Sequence, residues 1–180
     1  MDAKKSTVLL GIAFIVFLLL SYIENIFFFN ILGDVLQNQF LAVAMLFVHN
    51  VLVISLILLG MTFYVNLVVS NFFKDEKYAN VVLEHPRGFA LVFTFMIVFL
   101  SILRGGTLVY GGITVEVLPL ILLMSAPIGI VEGYGIYLTI KKTLSRTMSM
   151  KDLAYIYAVF FVASVMEVGF INLLVGIVKG

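Results

Sequence analysis

Four ionisable side chains lie inside long apolar runs of this sequence, Glu24, His49, Glu132 and Glu167, and the amide of Asn50 lies beside one of them. An ionisable group near the centre of a bilayer costs about 2.5 to 3.5 kcal/mol on insertion scales, so each one calls for a partner or a task. Two carboxylates brought together split their titrations and can hold a proton between them. Buried acids and imidazoles at depth also mark proton or cation paths. An amide such as Asn50 can hydrogen-bond across helices, typically for about 0.6 kcal/mol and at most about 1.7. With a rise of about 1.5 Å per residue, His49 and Asn50 fall about 15 Å into the second apolar run, Glu132 about 22 Å into the fourth and Glu167 about 20 Å into the fifth. Glu24 falls about 25 Å along the first run, level with Arg104 at the end of the third, so these two are expected at the outer interface as a pair or as snorkelling side chains. Beside Glu132, Pro127 removes a backbone donor one turn earlier, and Gly129-x-x-x-Gly133 offers a small-xxx-small face. Together they predict a bent helix in close contact with a neighbour at the level of a buried acid.

Other chemistries lack their residues. There is no G-x-x-x-x-G-K-[ST], no H-E-x-x-H and no G-x-S-x-G, so phosphate-loop, zinc-protease and hydrolase readings have no support. The chain has no cysteine and two histidines, of which His85 falls in a polar loop. A thiolate nucleophile, a disulfide framework and a site with two His ligands on one metal are therefore not expected. The one enzyme reading left open is an intramembrane hydrolase using Glu132 and Glu167. The expectation is a non-enzyme with no catalytic residue, cofactor or metal.

The elements that must position these groups follow from composition. Of 180 residues, 63% are apolar and 12% are charged, half the charged share of an ordinary soluble domain, at roughly 25%. A domain of this size has too little interior to hide so much apolar surface, so a soluble enzyme is excluded and a multi-pass membrane protein is predicted. A net charge of +1 leaves no electrostatic footprint for nucleic acid. Five spans are expected, at approximately 7–28, 40–70, 88–103, 117–140 and 153–178, within a single integral membrane domain covering 1–180. The first run is too long for the apolar region of a secretory signal. The second exceeds the ~20 residues of a simple span, with Gly60 the expected place for a bend. Residues 30–38, 71–87 and 141–151 read as connecting loops, and 105–116 as a loop or a partly re-entrant stretch. Nine Lys and Arg residues fall on one side of this arrangement and two on the other. Because cytoplasmic loops carry the excess, the N-terminus is expected inside and the C-terminus outside, in the cytoplasmic membrane. The fold class is thus an all-α polytopic bundle with one Pro-bent helix.

Three segments resemble the stage II sporulation protein M family. The first runs from Phe47-Val48-His49-Asn50 to Leu59-Gly60. The second is Ala126-Pro127-Ile128-Gly129-Ile130-Val131-Glu132, with Ile128 where the family usually has His. The third is Val162 to Asn172, which contains Glu167. The likeness covers roughly residues 40 to 178. It implies a small multi-span protein acting with partners, with Asn50, Pro127, Gly129, Glu132 and Glu167 as a family-like polar core. In spore formers the named member belongs to machinery that remodels the cell wall during engulfment.

Two functions are expected from these residues. The first is an accessory or assembly subunit of a membrane complex, in which the polar groups fix helix packing and loops 71–87 and 141–151 dock a membrane protein partner. A homo-oligomer is the other assembly allowed. The second is a small proton, cation or solute channel or transporter lined by Glu132, Glu167 and His49.

Overall fold

The computed structural model describes residues 3–35, 38–70, 81–110 and 118–179, and there the chain is almost wholly helical. The elements are α1 (Ala3–Val35), α2 (Gln39–Val69), a single turn α3 (Val81–Glu84), α4 (Pro86–Tyr110), α5 (Leu118–Leu144) and α6 (Met150–Lys179). Long runs of Leu, Ile, Val and Phe take this form because a helix satisfies its backbone groups internally, as the interior of a bilayer demands. Among the described residues, four helices are long and apolar enough to cross a membrane: Lys5–Phe28, Gln39–Val69, Pro86–Leu103 and Met150–Asn172.

Local chemistry sets the ends. Asn38 caps α2, its side chain accepting from the Leu41 N–H at 3.3 Å. Pro86 opens α4, where its missing N–H would have had no partner in any case. At the start of α6, Ser149 Oγ accepts from the Asp152 N–H at 3.2 Å, while the Asp152 carboxylate accepts from the Ser149 N–H at 3.0 Å. This reciprocal cap ties off two otherwise unpaired donors. The α5 helix closes with Arg146 N–H donating to the Thr143 carbonyl and Thr147 N–H to the Lys142 carbonyl. That pattern places Arg146 in the left-handed region, at φ 55°, a position usually given to glycine.

Three connections are shorter than expected. Helix α1 continues through Asn30, Gly33 and Asp34 to Val35, and α4 continues through Arg104-Gly105-Gly106 to Tyr110. Glycine in a helix interior is less favourable than alanine by about 1 kcal/mol, too little to end a helix whose alternative is unpaired backbone. Residues 111–116 of the expected re-entrant stretch, 117 at the start of the fourth run and 71–80 of the polar loop lie outside the described residues. The basic loop shrinks to 145–149, because Lys141 and Lys142 form the last turn of α5 and Met150 already begins α6.

The long helices form one bundle. Helices α2, α5 and α6 pack mutually at its centre, with α1 against α2 and α4 against α5. Gly60 seats a ring: Phe14 of α1 lies over Gly60, Phe63 of α2 lies over Gly11, and the two rings stack at 6.4 Å. Gly60, the expected place for a bend in α2, lets α1 approach closely. Gly129 and Gly133 face Val98, Ile102 and Thr94 of α4, so the small-xxx-small face is used within the chain. Two apolar clusters result. One joins Ile54, Ile136, Ile140, Leu144, Ile156 and Phe160 toward the 145–149 turn, and the other joins Phe28, Val35, Ala42, Leu46 and Val168 at the opposite end.

Candidate functional site

Between these clusters lies a polar layer. Asn50, 8% exposed, points from α2 into the junction with α5 and α6. Its Nδ2 donates to Ser164 Oγ at 3.3 Å and reaches Glu132 Oε1 at 3.5 Å. The first is a long hydrogen bond and the second is at the limit of one. Ser164 is fully buried and donates its own proton to the Phe160 carbonyl at 2.9 Å, which leaves its lone pairs for the Asn50 amide. Glu167 stands one turn beyond Ser164 on the same face of α6 and interacts electrostatically with Glu132. The layer thus gathers one amide, one hydroxyl and two carboxylates from three helices.

Close approach makes this junction possible. Gly135 of α5 lies against the Phe160 ring, and a Cβ there would overlap it. Phe160 is 2% exposed and seals the layer on the side of the 145–149 turn. Thr139 and Thr143 are buried beside it without entering the network, because each donates to a carbonyl four residues earlier in α5, at 2.8 and 2.7 Å.

His49 belongs elsewhere. Successive helical residues point about 100° apart, so while Asn50 faces α5 and α6, His49 faces α1. With Nδ1 carrying the proton, His49 donates to the Glu24 carboxylate at 2.9 and 3.1 Å. Its ring stacks on Phe28 with centroids 4.5 Å apart. The expected grouping of His49 with Glu132 and Glu167 therefore divides into two sites that share only α2. Glu24, expected beside Arg104 at the outer interface, has His49 as its partner, and the Arg104 side chain lies outside the described residues. Helix α1 runs eleven residues past Glu24, about 16 Å, while the apolar span within it ends at Phe28. Both side chains of this pair are about one-fifth exposed.

Pro127 lies within α5, as expected, but on its exposed face. It frees the Leu123 carbonyl from its intrahelical donor, away from the polar layer. Sequence reasoning missed Ser164, whose one signal was its spacing of three from Glu167. It also missed Tyr134 and Tyr155, which meet edge to face at 6.5 Å on the outer surface of α5 and α6. No group of three or more His, Cys, Asp or Glu side chains gathers as a metal site among the described residues.

No protein-family model, curated protein or solved structure matches this chain.

Proposed function

We propose that the protein is a non-enzymatic, multi-pass subunit of the cytoplasmic membrane, an accessory or assembly component of a membrane complex like the stage II sporulation protein M family it resembles. In this reading α5 also crosses the membrane, as the fourth of five spans, the N-terminus is cytoplasmic and the 145–149 turn faces the cytoplasm. The observation that carries it is the use of the polar groups. Asn50 spans from α2 to Ser164 of α6 and Glu132 of α5, and apolar clusters flank that contact on both sides. Polar groups placed so serve as glue between helices. Helix α1 adds a surface for a partner in the membrane, since Val8, Leu9, Ile12, Ile15 and Leu19 are each more than half exposed.

One observation favours a second reading, a small proton or cation pathway. Glu132 and Glu167 interact across α5 and α6 next to an amide and a hydroxyl, and carboxylates at depth serve ion paths in other membrane proteins. Reconstitution separates the two. The purified protein in liposomes, loaded with a pH-sensitive dye under an imposed potential, is expected to conduct no more than empty liposomes. Protein released gently from its own membrane is expected to carry a stoichiometric second protein in native mass spectrometry. Flux abolished by Glu132→Gln or Glu167→Gln would overturn the subunit reading and establish the pathway.

A further inference from the structure

The outer surface of the α5–α6 hairpin carries an open groove of about 470 Å³, lined by Ile130, Val131 and Tyr134 of α5 and Tyr155, Val159 and Val162 of α6. That volume lies within the roughly 300 to 1,000 Å³ of small-molecule sites. Its walls are hydrocarbon apart from the two tyrosines, which stand at the end nearest the 145–149 turn with hydroxyls close enough to interact. Beyond them the surface turns basic. Lys151 sits one helical turn past Tyr155, about 6 Å, and Lys141 two turns past Tyr134, about 10 Å, each on its tyrosine's face of the helix. Arg146 is exposed between them in the connecting turn.

Of the four cations at this end, Lys142 is held by Asp152 at 3.2 Å. Lys141, whose Nζ lies 5.5 Å from the centroid of the Tyr137 ring, Arg146 and Lys151 form no ion pair among the described residues. Arg146 also occupies a left-handed backbone position, at φ 55°, that glycine fills at lower energy. A long cationic side chain placed where the backbone favours glycine is consistent with a task for that side chain. An apolar groove, a tyrosine pair and unpaired cations follow one another along one surface, in the order of the acyl chain, ester region and phosphate of a phospholipid.

We infer that the α5–α6 groove is a binding site for an anionic glycerophospholipid, with one acyl chain between Ile130 and Val162, the ester region at Tyr134 and Tyr155, and the phosphate at Lys151, Arg146 and Lys141. Neutral lipids compete for the groove and lack the electrostatic contribution. This site is independent of the polar layer and of the subunit reading.

The chain has no tryptophan, so Val162→Trp installs a sole tryptophan, excited selectively over the tyrosines, at the rim of the groove, and Ile15→Trp installs one on the exposed face of α1. Each full-length variant is reconstituted in phosphatidylcholine vesicles with rising fractions of phosphatidylglycerol, using lipids with brominated acyl chains as quenchers. Quenching at position 162 is expected to show a preference for phosphatidylglycerol of about five-fold, the attraction of a single well-placed cation, against a preference near one at position 15. Lys141→Gln, Arg146→Gln and Lys151→Gln together are expected to return position 162 to near one. Ala158→Trp serves in the same role should Val162→Trp fail to fold. Equal preference at positions 162 and 15, or a preference at 162 that survives loss of all three cations, would overturn the site.

Discussion

Replacing Asn50 with leucine removes an α2 amide that hydrogen-bonds toward both α5 and α6, with little change in volume. Two interhelical contacts disappear, to Ser164 Oγ at 3.3 Å and to Glu132 Oε1 at 3.5 Å. Contacts of this kind in membranes average about 0.6 kcal/mol and reach about 1.7, so the pair is expected to contribute about 1.2 kcal/mol, with a ceiling near 3.4. The apolar transfer of leucine offsets part of that loss, and a double-mutant cycle removes the offset. Stability is measured by steric trapping in bicelles for Asn50→Leu, Ser164→Ala and the double variant. The expected interaction energy is about 0.6 kcal/mol, while Asn50→Leu paired with the remote Ser149→Ala is expected to give none. Zero coupling between Asn50 and Ser164 in folded variants would refute the polar layer as a helix-joining device. Coupling well above 1.7 kcal/mol would mean that the amide holds a charge rather than a hydroxyl.

Two other substitutions address the geometry around that layer. Gly135→Ala sets a methyl group into the Phe160 ring and is expected to destabilise by about 1 to 3 kcal/mol, as overpacking does, with Phe160→Leu restoring part of the loss in the same assay. Exchanging neighbours, His49→Asn with Asn50→His, keeps composition and removes both contacts of α2. Loss of the folded monodisperse species in size-exclusion chromatography is expected, and wild-type behaviour would show that the two contacts do not set the register of α2.

How far the sequence foretells this depends on the kind of contact. Helical class and the approximate position of every long helix follow from apolar runs, because the interior of a bilayer leaves the backbone few alternatives. Helix ends were less legible: Gly33 and Gly105-Gly106 read as stops, yet each penalty is small beside the backbone bonds at stake. Asn50, Glu132 and Glu167 stood out as polar groups in hydrocarbon, and three helices do bring them to one level. Ser164 did not stand out, since a serine in an apolar helix is usually spent on its own backbone, as Ser55 is on the Val51 carbonyl. The Glu24–His49 pair was out of reach for a different reason. It depends on where α1 ends and how it turns against α2, and a shift of a few residues in that end moves Glu24 by a full helical turn.

The division between His49 and Asn50 bears on how an apolar bundle acquires one structure. Helices α1 and α2 are hydrophobic nearly all round, so lateral packing alone distinguishes poorly between rotations of α2 about its axis. Interlocked pairs such as Phe14 on Gly60 and Phe63 on Gly11 fix the approach of α1. Consecutive polar residues then fix the rotation, because His49 must meet Glu24 on one side while Asn50 meets Ser164 and Glu132 about 100° away. A turn of α2 by one residue would break both contacts at once and leave polar groups facing hydrocarbon. A buried polar contact used in this way contributes little net stability and much specificity, the role best attested for such groups in coiled coils. The Asn50 layer is therefore explained as a register device before any transport function is invoked, and a pathway through Glu132 and Glu167 needs flux as its own evidence.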